Sequence, residues 1–195
     1  FAFVPKAGLK AELLWADILL DFYRMVNFPN MNQLYWQGVG AVGNEELKAE
    51  TGWGGELTLN LRNRYIPLSI CVYSNYFEKS IHWAYVTLSD SSSVWTPLNL
   101  RSAFYLGFNA SLNEQIFQTK NGYSLDLNAS FEYLYNRLLD KTDSSTYGRR
   151  IMYTPDIVAS GALIFKIPNF TFIADFSYTG LRYEDNKNIY ALDPY

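Results

Sequence analysis

The chain has 195 residues, 16 Lys and Arg against 19 Asp and Glu, and a formal net charge of -3, a balance with no basic field for tracking phosphates, so nucleic acid is not an expected partner. A single cysteine, Cys71, excludes an internal disulfide, and no apolar run approaches the roughly 18 residues of a membrane helix. Aromatic residues make up 17% of the chain, an enrichment suited to rings at membrane interfaces.

The chain opens on FAFVP and runs directly into KAGLKAEL, without a basic leader or a small-residue cleavage site. A removed leader or a piece of something longer is therefore expected. Residues 3–12 alternate weakly, with Ala7, Leu9 and Ala11 against Lys6, Gly8, Lys10 and Glu12. After a short connection at 14–16, Ile18, Leu20 and Phe22 alternate with Leu19, Asp21 and Tyr23 as a second strand. A long Gly- and Asn-rich loop follows over 27–50, with room for a helical turn at 31–35. The third strand, 53–61, sets Trp53, Gly55, Leu57, Leu59 and Leu61 against Gly54, Glu56, Thr58 and Asn60.

A turn at 62–67 leads to a fourth strand whose apolar face is Leu68, Ile70, Val72 and Tyr76, with His82 and Trp83 near its end. Beyond a polar connection at 87–96, a fifth strand is expected with Leu98, Leu100, Phe104, Leu106, Phe108 and Ala110 on one face and Asn99, Arg101, Tyr105, Asn109 and Ser111 on the other. Asn-Gly turn chemistry at 119–122 suits a hairpin into a sixth strand, where Tyr123, Leu125, Leu127, Ala129, Phe131, Tyr133 and Tyr135 oppose Ser124, Asp126, Asn128, Ser130 and Glu132. A charged loop at 140–150, a seventh strand at 157–166, a tight turn at 167–169 and an eighth strand from Phe170 to Tyr178, with Asp175 on its polar face, complete the pattern before a polar loop at 184–188.

Connections alternate between short turns and long loops, as in outer-membrane barrels. A soluble β-sandwich also alternates, but many of these strands exceed five or six residues and their polar faces carry few lysines to protect a sheet edge. The expected class is all-β, an antiparallel transmembrane β-barrel.

The segment VNFPNMNQLYWQGVGAVGNEELKAETGWGGELTLNL resembles TonB-dependent outer-membrane receptors. Pro29, Asn32, Leu34, Tyr35 and Trp36 match a family segment of the form FRAPTLNELYW, and Gly43, Asn44, Leu47, Lys48 and Glu50 match GNPNLKPE. Trp53 and Glu56 continue the match. Asn27 and Phe28 replace the usual Arg-Ala, and Glu45 and Ala49 stand where prolines are common. A second block is similar to the family's late barrel: Tyr153, Thr154 and Pro155 at a strand start, then Tyr178, Gly180, Arg182 and Tyr183 at a strand end. The usual Gly-x-Glu segment is missing around Ala103 to Gly107.

The resemblance implies a partial arc of about eight strands from the later half of a 22-stranded barrel, residues 1–195 being one barrel domain whose N-terminal plug and TonB box lie outside it. It implies a bacterial outer-membrane location, contact with outer-membrane lipid and with the plug, coupling to the TonB complex, and import of a scarce small-molecule nutrient such as a metal chelate, a siderophore or cobalamin. The alternative is a small closed eight-stranded barrel acting as an adhesin, structural module or pore; enzymatic activity is not expected, for want of a base and nucleophile pair. Asn32, Gln33, Tyr35 and Trp36 are the expected ligand contacts on an apical loop. Glu56, Arg62, Arg101, Asp126, Glu132 and Asp175 are expected to face the lumen, where they could meet the plug. His82 is expected as a strand-end polar residue rather than a haem ligand, and Asp140, Asp143, Glu184 and Asp185 as solvated loop charge rather than calcium ligands. No cofactor or metal is expected.

Overall fold

Period-two alternation with turn chemistry at regular intervals builds one sheet in the computed structural model, which describes residues 2–62, 67–87, 93–99, 102–139 and 144–195. In chain order the elements are β1 (Lys6–Glu12), β2 (Ala16–Asn27), α1 (Met31–Tyr35), β3 (Gln37–Gly38), β4 (Ala41–Val42), β5 (Glu50–Leu61), β6 (Leu68–Glu78), β7 (Ile81–Thr87) and β8 (Ser93–Asn99). They continue as β9 (Ala103–Gln118), β10 (Ser124–Leu138), β11 (Ile157–Ile167), β12 (Phe170–Thr179), β13 (Arg182–Tyr183) and β14 (Ala191–Leu192). Eight strands form an antiparallel meander in the order β1-β2-β5-β6-β9-β10-β11-β12. The sheet ends at β1 and β12, which do not pair with each other, so the small closed barrel is not what this chain forms.

Register gathers the apolar residues on one face. Leu9 faces Leu20, Leu20 faces Leu57, and Leu57 faces Val72. The row continues through Phe108 and Tyr133 to Ile157. Among the described residues nothing covers this face: Leu9 is 74% exposed, Leu57 48% and Phe176 61%. A water-soluble sheet would bury such a stripe, so the face needs an apolar surrounding.

On the opposite face two tyrosines each lie across a glycine on the neighbouring strand. Tyr23 of β2 crosses Gly54 of β5 to donate to Asn75 Oδ1 of β6 at 3.2 Å, and Tyr73 of β6 crosses Gly107 of β9 to donate to Glu132 Oε1 of β10 at 2.8 Å. A Cβ at either glycine would overlap the ring, so the missing side chain makes the crossing possible. Lys6 pairs with Asp21 at 3.3 Å on this same face, and Lys166 with Asp126 at 3.1 Å.

Among the described residues the short turns lie at one end of the meander. The β11–β12 turn places Asn169 at a φ of 70°, a left-handed conformation that asparagine tolerates, and Gly122 takes a φ of 84° between β9 and β10. The long connections gather at the other end. There β3, β4, β8 and β7 form a second sheet, in that order, with β4 parallel to β8 through Ala41 and Trp95. The buried apolar cluster, Ala103, Leu138 and Ile151 with Phe77 and Tyr105 packed on it, also sits at this end.

Two expectations change. The strand expected to run from Leu98 through Ser111 is two strands: Ser93–Asn99 belongs to the loop sheet and Ala103–Gln118 to the meander. Leu100 and Arg101 lie outside the described residues. His82 does not end the fourth strand, which stops at Glu78; it stands in β7 of the loop sheet.

Candidate functional site

The first long loop is shaped by local hydrogen bonding. Asn30 caps α1, its Oδ1 accepting from Gln33 N at 2.9 Å while Gln33 Oε1 accepts from Asn30 N at 2.9 Å, a reciprocal capping box. Gly43 then folds back on the helix end, its N–H donating to Trp36 O at 2.6 Å. A Cβ there would lie 2.6 Å from Leu34 O and 2.7 Å from Trp36 N, so only glycine permits the approach.

From this point the GNEELKAE segment ties the first long loop to the second. Asn44 Nδ2 donates to Pro97 O at 3.1 Å. Asn99 accepts from Lys48 N at 2.8 Å and donates to Lys48 O at 2.8 Å and Lys79 O at 2.9 Å. The buried Glu50 carboxylate accepts from Asn27 Nδ2 at 2.7 Å, from Ser80 Oγ at 3.2 Å and from the Ile81 N–H. Ser80 Oγ also lies 2.9 Å from His82 Nε2, and with Ser80 donating to Glu50 the imidazole must donate from that nitrogen. Burial pushes the His82 pKa below its ordinary 6.5, against a smaller upward pull from the Glu50 charge.

A second clasp joins the later loops. Asn188 accepts from Arg150 N at 2.7 Å and returns a bond to Arg150 O at 2.8 Å, while Arg150 pairs with Asp156 at 2.9 Å. Gly180 passes so close to Asp156 and Ile157 that a Cβ would lie 2.7 Å from Asp156 Oδ1. The Asp185 carboxylate accepts from the N–H groups of Lys187 at 2.7 Å and of Ile189 and Tyr190 at 3.0 Å. Burial alone would raise the Asp185 pKa, but these backbone donors together outweigh it and hold the carboxyl below its ordinary range.

Between the two clasps lies a pocket of about 430 Å³. Trp83, Tyr85 and Trp95 line one side; Met152, Ile189 and Tyr190 line the other, with Leu138 also in the wall. Tyr85 and Trp95 are themselves in contact, ring centroids 5.5 Å apart. A smaller pocket of about 260 Å³ continues along Trp83, Trp95, Met152, Tyr153 and Glu184. Trp83 also enters a third, of about 450 Å³, lined by Asn30, Asn32, Gln33, Trp36 and Ala41.

The structure thus brings Asn32, Gln33 and Trp36 together on one pocket wall, with Tyr35 exposed beside them and the Gln33 carbonyl engaged in the cap. Glu56, Asp126, Glu132 and Asp175 fall on the polar face of the meander, opposite Tyr73, Gln115, Asn109 and Ala162 respectively. Arg62 sits at the short-turn end, bridged to Asp17. Arg101, Asp140 and Asp143 lie outside the described residues. Trp83, Tyr85, Trp95 and Tyr190 were not singled out as ligand contacts by sequence reasoning, although Trp83 and Tyr85 sit at alternating positions.

A family profile described as "TonB dependent receptor-like, beta-barrel" matches residues 4–195. The vitamin B12 transporter BtuB of Photobacterium profundum is 26% identical over 167 residues, 86% of this chain but 25% of that protein. Among solved structures, the copper transporter OprC superposes with a TM-score of 0.68 at 14% identity, over 98% of this chain and 27% of its own. A ferric enterobactin receptor (PfeA) mutant from Pseudomonas aeruginosa in complex with enterobactin gives 0.68 at 17% identity, over 98% and 31%. BauA, the ferric preacinetobactin receptor from Acinetobacter baumannii, gives 0.67 at 11%, over 98% and 28%. The chain spans about a quarter of the length of the curated relative and under a third of these solved chains.

Proposed function

The chain belongs to the TonB-dependent receptor-like β-barrel family, and we propose that it forms part of the wall and apical loops of an outer-membrane receptor that binds a scarce nutrient and imports it with energy transmitted through TonB. On this reading residues 1–195 are one barrel domain, the uncovered apolar face meets outer-membrane lipid of a Gram-negative bacterium, and the polar face lines a lumen holding an N-terminal plug. Glu56, Arg62, Arg101, Asp126, Glu132 and Asp175 then supply lumen charge, and Asn32, Gln33, Tyr35 and Trp36 ligand contacts. The nutrient is a metal chelate, a siderophore, cobalamin or a similar compound, and the protein is a transporter rather than an enzyme.

The observation carrying the reading is the coincidence of two features on one sheet: an apolar face left uncovered among the described residues and, at the long-loop end, aromatic pockets walled by clasped loops. Concave aromatic pockets of several hundred Å³ suit small-molecule recognition. The test is nutrient uptake by cells carrying the full-length protein in the outer membrane, with and without TonB. Uptake that depends on both supports the proposal, and uptake unchanged by loss of TonB refutes it.

A further inference from the structure

We propose that the apolar face carries a seat for one phosphorylated, multiply acylated glycolipid of the outer leaflet: an acyl chain lies in a groove over Gly55 and Ser74, and Arg24 holds the phosphate at the rim above it. The inference rests on the membrane placement proposed above and goes beyond it, from a face bathed in lipid to a site that selects one lipid class.

The placement of charge carries it. Among the described residues the strands of the meander set two basic side chains on the apolar face, Arg24 and Arg137, and both fall in one register row. That row runs Arg24, Trp53, Tyr76, Phe104 and Arg137 across β2, β5, β6, β9 and β10 at the long-loop end. Aromatic rings and basic side chains belong at the level where lipid headgroups begin. From Trp53 to Leu61 the face continues down β5 for roughly 27 Å along the strand, so Arg24 stands at one boundary of the apolar band. Toward the short turns the strands carry Glu114 on this face and no basic residue among the described ones.

Arg24 has donors to spare. Its Nη1 donates to Phe3 O at 3.4 Å and its guanidinium carbon lies 6.0 Å from the Trp53 ring centroid, so its partners are a carbonyl and a ring face. No carboxylate pairs with it among the described residues; Glu78 shares the rim but lies one row nearer the loops and two strands away. The planar fork of an arginine matches a phosphate.

The groove lies one row below. Phe22, Gly55, Ser74 and Leu106 are successive partners across β2, β5, β6 and β9. Where Gly55 and Ser74 lack bulk, Leu20, Phe22, Leu57, Val72 and Leu106 wall an opening of about 380 Å³. Phe22 stacks on Trp53 at its upper side, ring centroids 5.3 Å apart. One row is two residues, about 7 Å of strand, so an acyl chain entering the groove leaves its headgroup level with Arg24.

Native mass spectrometry of the full-length protein in detergent tests this with three probes: bisphosphorylated lipid A, the same glycolipid stripped of phosphate, and dimyristoyl phosphatidylethanolamine. Bisphosphorylated lipid A should bind about tenfold more tightly than either other probe. Arg24→Gln should weaken it about tenfold and Arg24→Lys less than about threefold, while Ser74→Leu, which fills the groove, should weaken it about fivefold. Lys6→Gln, on the opposite face, should stay within about twofold of native. Lipid A retained no better than either other probe, an Arg24→Gln or Ser74→Leu protein within about twofold of native, or a Lys6→Gln loss equal to that of Arg24→Gln overturns the proposal. TonB-dependent nutrient uptake without a lipid A preference would remove the seat and leave transport standing. The expected lipid A binding with uptake indifferent to TonB would do the reverse.

Discussion

Glu50 is the acceptor on which the junction of the first two long loops turns, and Glu50→Ala removes it. The Ile81 N–H, which donates to Oε1 from a residue only 9% exposed, then has neither protein nor water as a partner. An orphaned buried donor costs about 1–3 kcal/mol. Ser80 Oγ keeps the 2.9 Å bond it accepts from His82 Nε2, and Asn27 lies at the rim where water replaces the carboxylate, so these two losses are partly recovered. The relieved burial of a carboxylate offsets some of the rest. Local opening of the junction should become easier by about 2–3 kcal/mol, which speeds amide exchange at Ile81 by about 30- to 150-fold. Glu50→Gln keeps an oxygen toward Ile81 and Ser80 and presents its amide nitrogen to Asn27, whose own amide can flip. It loses mainly charge assistance, about 1 kcal/mol or roughly fivefold in exchange. Hydrogen exchange read by mass spectrometry on the full-length protein measures both. If Glu50→Ala leaves Ile81 within about threefold of the native rate, or Glu50→Gln is as damaging as Glu50→Ala, the acceptor argument is wrong.

Burial holds the His82 imidazole below its ordinary 6.5, so the unfolded loop takes up a proton that the folded one resists. The loop sheet should keep its full stability above about pH 6.5 and lose it as pH falls toward the folded pKa; intrinsic-rate-corrected exchange in β7 should accelerate from about pH 7 to 5 and lose that dependence in His82→Gln, and a flat native profile would contradict this. Tyr73→Phe removes a bond to a carboxylate and should cost about 1.5–3 kcal/mol in urea unfolding from lipid vesicles. Gly107→Ala should cost more, because its Cβ displaces the ring as well; a milder Gly107→Ala would show that the tyrosine does not lie across the glycine. Leu57→Arg, mid-strand on the apolar face, should destabilise by about 2–4 kcal/mol in the same assay and Thr58→Arg by much less, and equal costs would undo the assignment of faces.

The meander was legible because its signal is local. Period two runs unbroken through residues such as Leu57 to Leu61 and Leu125 to Tyr135, and the β9–β10 and β11–β12 reversals carry their own turn chemistry, at Asn121 and Gly122 and at Pro168 and Asn169. The break between β8 and β9 was not legible, since Leu98 and Phe104 have the same parity and their alternation continues across it. Pro97 is the clue that period alone passes over, because a proline lacks the N–H that an interior barrel strand needs, whereas β8 seats it fully buried in the loop sheet. The aromatic pocket was hidden for a different reason. Its two sides come from separate stretches of chain held by amide side chains such as Asn99 and Asn188 on backbone groups, and such bonds leave no periodic trace.

The same division explains why the chain announces its family more clearly than its ligand. Gly43, Asn44, Lys48 and Glu50 carry much of the resemblance, and each is occupied in holding one loop to another: a close backbone approach, a bond to Pro97, a pairing with Asn99, a junction with Ser80 and Ile81. Gly180, in the second block, performs the same kind of service beside Asp156. Residues so engaged build the frame of the loops, and on the proposed reading they are indifferent to which cargo arrives. Trp83, Tyr85, Trp95 and Tyr190 stand on that frame with side chains facing open space, and they belong to neither matched segment. Specificity within such a receptor would therefore change by substitution at these positions without disturbing the clasps, and an exchange of Trp95 alone should alter ligand affinity while leaving exchange protection at Ile81 intact.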